Sequence, residues 1–76
     1  MASAGFFSDR RLKENIELVG NKNGHNIYHF NYKGEKPRYE GVMAQEVAEI
    51  TPEAIGEING FLTVNYDKIG LEMRVV

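Results

Sequence analysis

Residues 26–32 alternate between the two faces of a strand, and the aromatic members of the run share one face. That face carries Tyr28, Phe30 and Tyr32, with Ile27, His29 and Asn31 opposite. We expect the aromatic face to point into the core. Residues 16–19 form a shorter apolar run, and the glycine- and asparagine-rich residues 20–24 between the two runs tolerate positive φ. The pattern predicts a β-hairpin.

A second hairpin is predicted around Asn59-Gly60, because this dipeptide separates two apolar runs, residues 54–58 and 61–65. Asn-Gly suits a type I′ turn, in which both central residues have positive φ. Residues 39–42 are predicted to form one more short strand.

Two short helices complete the predicted fold. Apolar residues at positions 43, 47 and 50 lie on one helical face, and Pro52 ends that helix. Residues 66–76 are predicted to form the second helix, with Asn65 as its N-cap and Gly70 as a weak point. The prediction is a small α+β single domain with two β-hairpins and two short helices.

Composition narrows the classes of function. The chain has 76 residues and no cysteine, so one small domain without disulfides is expected, and self-association is a natural way to stabilise it. The net charge of -2 and the lack of a basic face disfavour nucleic-acid binding. No apolar run is long enough to span a membrane. His25 and His29 have no supporting carboxylate pattern, so we expect neither a metal nor a cofactor.

Residues 8–16 carry the most informative chemistry. A lysine such as Lys13 can activate a serine such as Ser8 only when it is neutral, and burial lowers a lysine pKa toward that state. On a regular helix, residues five apart point about 140° away from each other. The pair therefore meets only if the chain turns between them, or if the contact crosses to another chain. The simpler alternative is that Ser8 caps a turn and Lys13 pairs with Asp9, four residues back.

Four sequence blocks resemble the chaperone-of-endosialidase family, and they follow the family order. The first is SDRRLKENI at residues 8–16, where the family has Ser-Asp, a variable residue, Arg-Leu-Lys, a variable residue and Asn-Ile. The others are GVMAQEV at residues 41–47, PEA at 52–54 and VNY at 64–66, with Asn65 in place of an aspartate. The resemblance covers residues 7 to about 69.

The resemblance implies a C-terminal intramolecular chaperone of a phage tail fibre or tailspike. Such a domain promotes assembly of a homotrimer with the upstream chain and then cuts itself free. The bond between Phe7 and Ser8 is the implied cleavage site, with Ser8 as nucleophile and Lys13 as general base. Residues 1–7 are then a flexible leader or a remnant of an upstream fibre or tag, and residues 8–76 are the domain. The implied supporting residues are Asp9, Arg11, Asn15, Gly41, Gln45 and Glu46.

Two other functions remain open at this point. One is a non-cleaving structural tip or cap, or a stand-alone virion component of a phage tail. The other, a regulatory or DNA-binding domain, is disfavoured by the lack of a basic face. The expected location is the host cytoplasm during phage assembly, or the virion tail if the domain is not released.

Overall fold

The computed structural model describes residues 5–76. Within them, antiparallel strands form two sheets, of order β1-β6-β5 and β2-β3-β4-β7. The strands are β1 (Phe6–Phe7), β2 (Lys13–Lys22), β3 (His25–Tyr32), β4 (Arg38–Gly41), β5 (Ile55–Ile58), β6 (Phe61–Val64) and β7 (Arg74–Val75). The described residues hold one α-helix, α1 (Ala44–Ile50), and 3₁₀ turns at Arg10–Leu12, Pro52–Ala54 and Tyr66–Ile69.

Both predicted hairpins are confirmed. β2 pairs with β3 through a turn at Asn23 and Gly24, whose φ values are 53° and 82°. β5 pairs with β6 through Asn59 and Gly60, with φ values of 52° and 83°. Positive φ at both central residues is the conformation that Asn-Gly favours, so each turn has a local cause.

The core lies between the two sheets, where α1 packs against β6 and β3. The helix predicted over residues 43–50 is confirmed as α1, with Met43 as its N-cap. Of the three apolar positions of the predicted face, Met43 and Val47 are fully buried, whereas Ile50 is exposed at the end of the helix. On β3, Phe30 is fully buried as expected, but Ile27 on the opposite face is buried too. Ile27 packs in the cluster that contains Val42, so the expectation of a single core-facing side for β3 was too narrow.

The second predicted helix is wrong. Tyr66–Ile69 form only a 3₁₀ turn, although Asn65 caps it as expected by accepting a hydrogen bond from the Asp67 N–H. Gly70 then adopts the left-handed conformation, with φ of 70°, and ends the turn. The chain continues into β7, which pairs with β4. The domain is therefore mainly β with one short helix, and the α+β prediction is corrected. Among the described residues, no helix has the length and apolar character needed to cross a membrane.

The two residues directly before Ser8 form an edge strand of the smaller sheet. Of the predicted leader, residues 1–4 lie outside the described residues, and Phe6–Phe7 form β1. β1 pairs with β6, so that Phe7 is opposite Thr63. This pairing leads the chain from Phe7, which is exposed, to Ser8, which is completely buried.

Candidate active site

Backbone hydrogen bonds hold Ser8 from both sides. Its N–H donates to the Leu62 carbonyl at 3.1 Å, which extends the pairing of β1 with β6. Its carbonyl accepts from the Ala44 N–H at 2.9 Å, at the first turn of α1. Ser8 is completely buried. Its hydroxyl is therefore directed from a fixed backbone between the smaller sheet and the helix.

The structure brings Ser8 and Lys13 together within one chain. The 3₁₀ turn Arg10–Leu12 separates the two residues, and Lys13 is the first residue of β2. Lys13 Nζ lies 3.1 Å from Ser8 Oγ and donates to the Val42 carbonyl at 2.7 Å. The five-residue spacing is thus accommodated because the segment is a turn followed by a strand, and no neighbouring chain is needed for this contact.

The surroundings of Lys13 favour its neutral form. The side chain is 3% exposed. Nζ also lies 4.0 Å from the centre of the Phe30 ring, a contact that by itself favours the charged form. Burial is the main cause that lowers the pKa of Lys13 to about 7, while Asp9 opposes the shift and Arg10 adds to it. A lysine with this pKa is largely neutral just above neutral pH, so it can accept a proton from Ser8.

Tyr66 completes the group around the serine hydroxyl, and sequence reasoning did not select it. Its phenol oxygen lies 3.3 Å from Ser8 Oγ and accepts from the Val42 N–H at 3.0 Å. Because the phenol accepts from the amide, its own proton is free to point at Ser8 Oγ. Neutral Lys13 can then accept the Ser8 proton through its lone pair. We call Ser8, Lys13, Val42 and Tyr66 the Ser8 cradle. The VNY block at residues 64–66 was the available signal for Tyr66.

Gly41 makes room for this arrangement. A Cβ atom at this position would collide with the Tyr66 phenol oxygen and would lie 3.3 Å from Met73 Cγ. Gly41 is buried at the end of β4, directly before Val42. The predicted supporting role of Gly41 therefore has a steric basis, because any larger residue would displace the phenol from the serine.

Asp9 and Gln45 fix the segment between Ser8 and Lys13. Asp9 is completely buried, and its carboxylate accepts from the Arg11 side chain at 2.9 and 3.0 Å, from the Leu62 N–H at 3.0 Å and from Gln45 Nε2 at 2.8 Å. The bond to Arg11 is the largest cause that holds the pKa of Asp9 well below its usual range. Asp9 also caps the 3₁₀ turn. Asp9 thus pairs with Arg11, whereas the simpler alternative paired it with Lys13.

Two of the predicted supporting residues make their contacts elsewhere. Glu46 accepts from the Tyr28 hydroxyl at 2.6 Å and from Arg10 at 3.3 Å. Asn15 has a φ of 53° where β2 is irregular, and its side chain donates to Asn31 at 2.9 Å. Their hydrogen bonds join the helix and β2 to β3, without touching the Ser8 hydroxyl or the lysine amine.

The carbonyl of Phe7 has a partner that the sequence reasoning also missed. The Tyr32 hydroxyl donates to the Phe7 oxygen at 2.5 Å. Nothing in the spacing of the two residues indicates this contact, because they lie 25 positions apart in the sequence. In the peptide between Phe7 and Ser8, the carbonyl oxygen therefore accepts a hydrogen bond from Tyr32, and the Ser8 hydroxyl that follows lies within the Ser8 cradle.

A comparison with models of known families gives a match at residues 8–56, more than half of the chain. The matched family is described as chaperone of endosialidase. This chain belongs to the chaperone of endosialidase family. The match begins at Ser8 and includes Lys13, Gly41 and Gln45, and membership supports a chaperone-type role for the domain. Comparisons with curated proteins and with solved structures gave no match.

Proposed function

We propose that this domain is the C-terminal intramolecular chaperone of a phage tail fibre or tailspike, and that it cuts the bond between Phe7 and Ser8 after assembly. The observation that carries the cleavage proposal is the buried contact of 3.1 Å between Lys13 Nζ and Ser8 Oγ. A lysine whose pKa is about 7 suits a general base, since it is partly neutral at the pH of a cell.

The proposed reaction needs only this chain and water. Neutral Lys13 takes the proton of Ser8 as Ser8 Oγ adds to the carbonyl carbon of Phe7. The C–N bond of the peptide then breaks, and the proton passes from Lys13 to the departing nitrogen. An ester joins the Phe7 acyl group to Ser8 Oγ, and the Ser8 amino group is free. Water hydrolyses the ester, which restores the hydroxyl and releases Phe7 as a carboxylate together with a proton.

The chaperone part of the proposal concerns the upstream fibre chain and two further copies of the same protein. Interwoven trimeric fibres have many non-local contacts, so they fold slowly and expose strand edges while they do so. A domain that gathers three C-termini raises their effective concentration and fixes their register. The exposed apolar side chains of Leu18, Val19 and Val75 offer surface for such self-association. Cleavage after assembly would leave the fibre kinetically trapped.

The proposed location follows from the order of these events. Assembly and cleavage take place in the host cytoplasm. A released domain stays there, and a domain that is not released remains on the virion tail.

Intact mass of a fusion protein tests the cleavage. The chain is placed behind a trimeric fibre fragment, and the wild type is compared with Ser8→Ala and Lys13→Ala, with Lys22→Ala as the control on exposed β2. The wild type and the control are expected to split between Phe7 and Ser8, while the other two variants stay whole. If every fusion forms a trimer yet stays whole, cleavage is excluded and the domain is a non-cleaving tip or cap.

A further inference from the structure

The hydroxyl of Tyr32 occupies the place of an oxyanion donor. It donates to the carbonyl oxygen of Phe7 at 2.5 Å, and this is the carbonyl that Ser8 attacks in the proposed reaction. When Ser8 Oγ adds to the carbonyl carbon, negative charge develops on that same oxygen. A donor that already points at the oxygen stabilises the charge without having to reorient.

The phenol is held in place by the strand pairing and by neighbouring rings. Tyr32 is directly opposite Lys13 in the register of β2 and β3, so one hairpin carries both the base and the donor. The Tyr32 ring meets the Phe30 ring edge to face at 5.5 Å and 88°, and the Tyr39 ring at 5.5 Å and 65°. Edge-to-face contacts of this kind fix the ring plane and so the direction of the hydroxyl.

The protonation state of Tyr32 suits a hydrogen-bond donor. Burial is the main cause that raises its pKa, and the neighbouring Tyr66, Tyr39 and Glu35 add to the shift. The phenol therefore keeps its proton throughout the range in which Lys13 changes from charged to neutral. The two groups have separate tasks, because the lysine exchanges a proton and the tyrosine donates a hydrogen bond without losing one.

We propose that Tyr32 is a catalytic residue that stabilises the oxyanion formed on the Phe7 carbonyl oxygen. This proposal rests on the proposed self-cleavage. During the addition of Ser8 Oγ the carbonyl π electrons move onto the Phe7 oxygen. The hydrogen bond from the Tyr32 hydroxyl to that oxygen becomes stronger as the negative charge develops. The electrons return to the carbonyl when the C–N bond breaks, and Tyr32 retains its proton throughout.

The test is the cleavage rate of the same fusion protein carrying Tyr32→Phe, which removes only the hydroxyl. The matched control is Tyr39→Phe, because the Tyr39 ring packs against the Tyr32 ring and both tyrosines line one surface pocket together with Phe7. Loss of one oxyanion donor typically slows a reaction by about 10²–10³-fold, and we expect that loss for Tyr32→Phe. The pH midpoint of the remaining cleavage should stay near 7, because it belongs to Lys13. A role in structure alone would instead change the unfolding midpoint together with the rate.

The outcomes separate this proposal from the one it depends on. If the wild type cuts and Tyr32→Phe cuts at the same rate, the oxyanion role is overturned while self-cleavage stands. If the wild type stays whole, self-cleavage fails and this role fails with it. If Tyr32→Phe does not fold, fluorinated tyrosines at position 32 provide the second test. They keep the ring and the hydroxyl but make the phenol more acidic and so a stronger hydrogen-bond donor. The cleavage rate should therefore rise with the acidity of the phenol, and a rate that does not change with it would overturn the role.

Discussion

The strand β2 begins inside the Ser8 cradle and ends in an exposed segment, which we call the distal hairpin (residues 15–24). Lys13 is 3% exposed, whereas Leu18, on the same strand, is 59% exposed. The first region is covered by Val42, directly after β4, and by the Phe30 ring. The second region pairs with β3 and otherwise makes only polar contacts near the surface, from Glu17 to Arg38 and from Asn23 to the Ile69 carbonyl. The comparison shows that one strand can hold a buried, fixed amine at one end and an exposed surface that tolerates substitution at the other.

The change between the two regions occurs where β2 becomes irregular. The register shifts between Glu14 and Glu17 and again between Leu18 and Gly20. At the first shift Asn15 adopts a φ of 53°. Such irregularities bend a strand and increase its twist, which directs the distal hairpin away from the core. Substitutions before and after the shifts should therefore have very different effects, and matched pairs of residues test this.

The largest difference is expected between two carboxylates, Asp9 and Glu17. Asp9→Ala removes a buried acceptor from the Leu62 N–H, the Arg11 side chain and Gln45. The Arg11 side chain is 62% exposed and can turn to water, so the cost comes from the Leu62 N–H and Gln45. A donor left without a partner costs about 1–3 kcal/mol, so the free energy of unfolding should fall by about 2–6 kcal/mol. Glu17 makes an exposed ion pair at 3.6 Å, and Glu17→Ala should change it by about 0.5 kcal/mol or less. Urea unfolding measures both, and equal losses would refute the comparison.

The next largest difference is expected in how two lysines, Lys13 and Lys22, affect the pH dependence of the free energy of unfolding. The pKa of Lys13 falls from 10.5 to about 7 in the folded state, so between these values the unfolded chain binds more protons. The free energy of unfolding therefore rises with pH through this window. The contribution of Lys13 is complete above pH 10.5 and decreases progressively as the pH falls to about 7. The slope approaches about 1.4 kcal/mol per pH unit, or roughly 2–3 kcal/mol between pH 7 and 9.

The variants for this measurement are made in a Ser8→Ala background, so that every chain stays whole. Lys13→Met keeps an unbranched side chain without the charge, and the rise between pH 7 and 9 should disappear. Lys22 is exposed on the distal hairpin, and Lys22→Met should keep the rise unchanged. A rise that survives in Lys13→Met would mean that another group causes it.

Much of the fold could be predicted because its causes are local. The turns at Asn23-Gly24 and Asn59-Gly60 are determined by residues that accept positive φ. The second helix could not be predicted correctly, because β7 exists only through its pairing with β4, where Arg74 is opposite Glu40. That contact joins residues 34 positions apart, and no local pattern contains it.

The site divides in the same way. Ser8 and Lys13 were selected through the family resemblance, whereas local chemistry alone favoured Ser8 as the cap of the turn, a position that Asp9 occupies in the structure. The position of Tyr32 opposite Lys13 could not be predicted. Lys22 pairs with His25 next to the turn, and a regular hairpin counted from that pair would put Gly34 opposite Lys13. The two register shifts move the pairing by two residues and bring Tyr32 there instead. Finding this donor required knowledge of the bulges, which the sequence pattern does not specify.

A smaller difference is expected between two glycines, Gly41 and Gly20. Gly41→Ala would force its new methyl group into the Tyr66 phenol, so the free energy of unfolding should fall by about 1–3 kcal/mol. Cleavage of the fusion should slow as well, because the phenol leaves Ser8 Oγ. A methyl group at Gly20 meets nothing within 4 Å, and Gly20→Ala should be neutral or stabilise by up to about 1 kcal/mol. A tolerated Gly41→Ala would show that the phenol position is adjustable.

The smallest expected effect comes from the charge of Arg10, which lowers the pKa of Lys13 without touching it. Arg10→Gln should move the midpoint of the pH–cleavage profile upward by a few tenths of a pH unit, because one cation near the ammonium is gone. Arg10 is half exposed, so added salt should shrink the shift. Lys22→Gln removes the same charge from the distal hairpin and should leave the midpoint in place. A downward shift in Arg10→Gln, or an equal shift in both variants, would show that the pKa of Lys13 does not depend on the nearby charge of Arg10.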